Sequence, residues 1–196
     1  MKREERENNK DKGKGRYALK SAKECAYTAV FVALLLAVQL LLSAIPVELV
    51  TVLFVSYAYV FGWKRAGVSA IAFSLLRQLI FGFFPTVLIL YLLYFIGLAL
   101  LFGNLRRRGL SPKTCLLFVT ALACICTLCF TLLDNVLTPL WYGYTWSAAK
   151  AYFLSSLTFL IPHTIGVGLS VALLFTPLCR IFSLVGRGLF VKNAQK

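Results

Sequence analysis

The chain has 196 residues, of which 60% are hydrophobic and 14% charged, against roughly 45–50% and roughly 25% in soluble domains. That composition excludes an ordinary soluble domain, a disordered chain and a disulfide-stapled secreted module, and at this length it predicts one compact unit. A net charge of +14 raises nucleic acid as a partner, but nine of the 21 basic residues fall in the first 23 positions and most others in two short segments and the C-terminal tail. This is the distribution of Lys and Arg at the cytoplasmic ends of membrane helices, so no nucleic acid is expected.

Residues 1–24 are polar, rich in Lys, Glu and Asn, and without apolar period. They read as a basic, largely disordered cytoplasmic tail, and the charged stretch is too long for a signal peptide. Apolar runs follow, each to be judged against the roughly 20 residues that cross a bilayer. The first is Ala26–Ile45, ended by Pro46 and Glu48. The second, Leu49–Gly62, is short and closes on Trp63-Lys64-Arg65. The third, Ala66–Phe84, holds Arg77-Gln78 and is punctuated by Gly82 and Pro85. The fourth is Thr86–Gly103, before the basic segment Arg106-Arg107-Arg108 and Lys113. The fifth is Thr114–Leu133, ending at Asp134-Asn135, after which a polar, aromatic loop is expected from Val136 to about Lys150. The last block, Ala151–Phe182, is too long for one simple span; Pro162, Gly166 and Gly168 predict a short outer helix or a kink before the final crossing.

The expected fold is therefore all-α: a polytopic membrane protein with six transmembrane helices over residues 25–183 and a basic cytoplasmic tail over 184–196. With six spans and a cytoplasmic N-terminus, the basic segments at the N-terminus, Lys64-Arg65, Arg106–Lys113 and beyond Arg180 all fall on one side, while the opposite loops carry Glu48, Asp134 and Lys150. Both termini are thus expected in the cytoplasm.

Ionisable groups inside membrane spans are costly and mark candidate functional positions. Glu48, Arg77, Gln78, Asp134, Asn135 and His163 all belong to the outer half of this topology, joined by Trp141, Tyr142, Tyr144, Trp146 and Tyr152. The inference is a pocket open to the outside, lined by Glu48, Arg77, Gln78, Asp134, Asn135, Trp141, Trp146 and His163. Its aromatics would stack on a flat ring, and Arg77 would hold a carboxylate or phosphate. Each residue also has a plainer reading. Trp and Tyr collect at membrane interfaces, Arg77 can pair with Asp134 or Glu48, His163 can meet carbonyls freed by Pro162, and Glu48 suits a helix start.

No catalytic constellation emerges from one His and two acidic residues beyond the N-terminal region. There is no Walker loop, and the cysteines (Cys25, Cys115, Cys124, Cys126, Cys129, Cys179) lack metal-site pairing and read as small buried apolar residues. No enzyme activity, cofactor or metal is expected. In the first run Ala29, Ala33 and Ala37 recur every four residues and form one helical stripe, suited to close approach by another helix or to packing within the bundle.

Size, six spans, both ends inside, that AxxxA-type stripe and the block Phe159-Leu-Ile-Pro-His-Thr-Ile-Gly-Val-Gly168 before Thr176-Pro177-Leu178 together resemble the substrate-binding S component of energy-coupling factor (ECF) vitamin transporters. The resemblance covers roughly residues 20–185. It implies capture of a vitamin or related micronutrient from outside a bacterial plasma membrane, and docking of Ala29, Ala33 and Ala37 on a transmembrane T component driven by two ATPase subunits. His163 stands where some members carry an asparagine. The competing reading is a structural membrane scaffold of the MreD kind, without a small-molecule ligand.

Overall fold

The structure, a computed structural model, describes residues 24–42, 48–105 and 112–190. Those residues form helices and no strand: α1 (Glu24–Leu41), α2 (Leu49–Phe61), α3 (Trp63–Phe81), α4 (Pro85–Leu105), α5 (Pro112–Trp141) and α6 (Trp146–Phe190). The N-terminal tail, the turn at Pro46 and the segment Arg106–Arg108 lie outside the described residues.

Four helices, α1, α4, α5 and α6, are long and apolar enough to cross a bilayer, which is the character of a membrane protein. The 13 residues of α2 rise only about 20 Å, short of a hydrocarbon core of about 30 Å. The 19 residues of α3 are long enough but include Lys64, Arg65 and Arg77. Large apolar side chains such as Val30, Leu79, Leu117 and Leu173 stand exposed. Water would not tolerate so much apolar surface on a monomer, whereas lipid tails would.

The helices run alternately up and down. An ion pair from Arg65 Nη2 to Glu24 Oε1 (2.6 Å) ties the start of α3 to the start of α1. The far end of α4 meets the α2–α3 junction, where Gly103 lies against the backbone of Gly62 and Trp63 with no room for a Cβ. Gly62 takes φ +83°, a conformation other residues adopt at a cost, so the reversal between α2 and α3 is built from two glycines on neighbouring elements.

α2 is the hub, packing against α3, α4 and α6. It is apolar all round and buried along most of its length, from Thr51 and Val52 through Phe54–Ala58, as expected of a helix with no solvent or lipid face. Near the Arg65 end, Phe31 stacks on Tyr57 at 3.8 Å and Phe182 meets both edge-on. Towards the other end, Phe95 is the centre of a second aromatic group, edge-on to Phe54, Phe73 and Tyr94.

Three expectations are corrected. α5 does not end at Asp134-Asn135 but continues to Trp141, so the expected loop over Val136–Lys150 shrinks to residues 142–145, turning at Gly143 with φ +63°. The last block is one helix of 45 residues with Pro162 and Pro177 inside it and running beyond residue 183, so of the two expected forms the separate short outer helix is ruled out. Pro162 removes only one N–H from the ladder, which neighbouring turns outlast. Among the cysteines only Cys115 is buried; Cys25 and Cys129 are exposed and the others are half-buried.

Candidate ligand-binding cavity

At the end carrying the α3–α4 and α5–α6 connections, a cavity of about 520 Å³ opens among the helices. Small-molecule sites typically occupy about 300–1,000 Å³. Every helix or its flank contributes: Gln39 and Leu42 from α1, Glu48 and Thr51 at the start of α2, Arg77 and Phe81 from α3, Tyr91, Tyr94 and Phe95 from α4, Phe130 from α5, and Phe159, Pro162 and His163 from α6.

Helical spacing explains how the side chains converge. Arg77 and Phe81 are four residues apart and share a face of α3. Tyr91, Tyr94 and Phe95 stand at i, i+3 and i+4 on α4. The Arg77 guanidinium lies 4.2 Å from the Tyr91 ring centroid and 5.0 Å from that of Phe81. Such stacking covers the faces of the planar cation and leaves its N–H edges for in-plane acceptors. The Arg77 Nε has no hydrogen-bond partner. Among the described residues the ion pair of a Lys or Arg with a carboxylate is Arg65–Glu24, so Arg77 pairs with neither Glu48 nor Asp134.

Glu48 is held from three sides. Its Oε2 accepts a hydrogen bond from Thr51 Oγ1 at 3.1 Å, its backbone carbonyl accepts one from Ser170 Oγ at 2.9 Å, and its Oε1 lies 3.5 Å from His163 Nδ1. It occupies the N-cap position of α2 without bonding the helix's free N–H groups. Its carboxylate therefore turns to His163 and the cavity. Across the site, Gln39 Nε2 donates to the Tyr91 hydroxyl at 3.0 Å, while Gln39 Oε1 has no partner. The Tyr94 hydroxyl pairs with Thr127 Oγ1 at 3.2 Å, fixing its ring against α5.

Of the residues picked from sequence, the structure brings Glu48, Arg77 and His163 together in this cavity. Gln78 points elsewhere: it is buried, and its Oε1 accepts the backbone N–H of Phe84 at 3.2 Å. That bond braces the α3–α4 turn, where Gly82 has φ +96° and Pro85 opens α4 with the φ a first helical residue needs. Asp134, Asn135, Trp141 and Trp146 do not line the cavity. Asp134 accepts from Tyr152 at 2.7 Å and from Thr138 at 2.6 Å, clasping α5 to α6. Asn135 is half-buried with both side-chain polar atoms unpartnered. Trp141 and Trp146 are exposed at the tip, Trp146 beneath Lys150 Nζ at 5.1 Å.

Gln39, Thr51, Tyr91 and Tyr94 are lining residues that sequence reasoning passed over. The signal for the last two was a pair of polar-tipped aromatics at helical spacing inside an otherwise aliphatic run. Ala29, Ala33 and Ala37 all lie on the exposed side of α1, opposite the buried Phe31, Val32 and Leu35. Among the described residues the bundle leaves this stripe uncovered. Among the described residues no group of three His, Cys, Asp or Glu is placed to hold a metal ion.

Comparison with known protein families, curated proteins and solved structures finds no match to this chain.

Proposed function

We propose that the chain is the membrane-embedded substrate-binding component of an ECF-type importer, with six helices in a bacterial plasma membrane, the short α2 reaching across with the turns that flank it, and both termini in the cytoplasm. It captures a small vitamin-like nutrient from outside and hands it to a T component energised by two ATPase subunits. The observation that carries this reading is the cavity to which all six helices or their flanks contribute, with one cation, one carboxylate and one imidazole set among aromatic rings. A scaffold needs contact surfaces and gains nothing from such a void, because empty space in a packed core is destabilising. The cavity opens at the end opposite Lys64 and Arg65, which the positive-inside rule assigns to the cytoplasm; that orientation turns the cavity outward. The exposed alanine stripe of α1 gives a partner helix a surface for close approach.

The test is mass spectrometry of small molecules extracted from the folded protein, purified gently from cells grown in rich medium. A near-stoichiometric heterocyclic nutrient is expected. An empty extract together with no binding of any vitamin in a titrated panel would count against the importer reading.

A further inference from the structure

Resting on the reading of the cavity as a substrate site, we propose that its ligand is amphoteric: a planar ring bearing an anionic group that pairs with Arg77 and, at another edge, a hydrogen-bond donor that meets Glu48.

The charges of the cavity set this requirement. Among the described residues Arg77 has no carboxylate partner, and its Nε is unsatisfied. A partly desolvated, unpaired cation is unfavourable at membrane depth, and a ligand anion relieves it. Because Tyr91 and Phe81 cover the guanidinium, the anion must approach in the plane, the geometry in which carboxylates and phosphates bind in bidentate fashion. The α1–α2 side is of opposite character. The Glu48 carboxylate offers about four acceptor positions, of which Thr51 takes one and His163 faces another. Gln39 Oε1 is a second acceptor without a donor.

A ligand with only negative charge would satisfy Arg77 and set a like charge towards Glu48. A purely cationic one would do the reverse. A molecule with both groups leaves Arg77 facing an anion and Glu48 facing an N–H donor. The walls between the two poles are rings, Tyr91, Phe95 and Phe130 among them, which favour a flat, polarisable body.

Three probes separate these demands: 4-aminobenzoate, which has both groups, benzoate, which lacks the donor, and aniline, which lacks the anion. Saturation-transfer NMR on the full chain in lipid nanodiscs reads their binding. We expect 4-aminobenzoate to bind at least about tenfold more tightly than either, a step of one decade in Kd. Arg77→Gln should weaken 4-aminobenzoate and benzoate but leave aniline unchanged; Glu48→Gln should weaken 4-aminobenzoate and aniline but leave benzoate unchanged. Equal binding of the three probes, no saturation by any of them, or folded variants that weaken all three alike overturns the proposal. The wild-type comparison decides even if a variant fails to fold. A cellular ligand of another charge class, recovered from the purified protein, refutes the amphoteric class and leaves the importer reading standing; a cavity that holds neither cellular ligand nor probe refutes both.

Discussion

Arg77 is framed by Tyr91. The ring lies 4.2 Å from the guanidinium, and the hydroxyl on the same ring accepts from Gln39, so one side chain both orients the cation and ties α4 to α1. A cation over an aromatic face gains about 0.5–2 kcal/mol when partly desolvated. Tyr91→Leu is therefore expected to lower affinity for an anionic ligand several-fold, while Tyr91→Phe, which keeps the ring and loses only the Gln39 bond, retains most of it; titration calorimetry with the extracted ligand distinguishes the two. Charged residues were the legible part of this site. Glu48, Arg77 and His163 stand out because a titratable group in an apolar run is anomalous, and those three meet. Asp134 stood out equally and went elsewhere. Position along a helix tells depth, not azimuth, and Asp134 turns towards Tyr152 of α6. Tyr91 and Phe130 were hidden for the opposite reason: an aromatic in a membrane helix looks the same whether it fills core or lines a cavity.

Among the elements, α4 and the α2–α3 reversal show how little slack the bundle has. A Cβ at Gly103 would strike the backbone of Trp63, and backbone cannot rotate away as a side chain can. Gly103→Ala should destabilise the protein by about 1–3 kcal/mol, the usual range for overpacking, read as a lower denaturation midpoint in detergent. α1 is the contrasting case, with Phe31, Val32 and Leu35 buried and its alanine stripe bare. Ala33→Trp is expected to leave ligand affinity and stability nearly unchanged while abolishing uptake by cells that carry the energising subunits; unimpaired uptake would remove the stripe from partner docking. Helix existence was readable from hydropathy at every run. Helix ends were not, because Asp134 and Asn135 lower the hydropathy without interrupting backbone hydrogen bonding. Thr138 and Tyr152 supply the donors that let a carboxylate sit within a continuing helix.

At the scale of the whole molecule, the up-and-down order puts Lys64 and Tyr144 at opposite ends, and both are exposed. In a background with the native cysteines replaced, a Cys at position 144 should react with an impermeant maleimide on intact cells and one at position 64 only after lysis; the reverse pattern would invert the orientation. The order of helices was readable from sequence because Lys and Arg are clustered between apolar runs; a pocket was inferred from the polar groups, but most of its lining was not readable, since it is a property of six helices meeting. α1 joins the two ends of the functional proposal. It places Gln39 in the cavity wall and the alanine stripe on the outer surface, about one helix diameter of 10 Å apart. Two surfaces on one rigid rod cannot be set independently. If ligand contact at Gln39 changes the tilt of α1 and thereby its affinity for a partner by some factor, docking of that partner must change ligand affinity by the same factor. Release of cargo and engagement of the partner would then be two readings of a single coupling constant, measurable from either side.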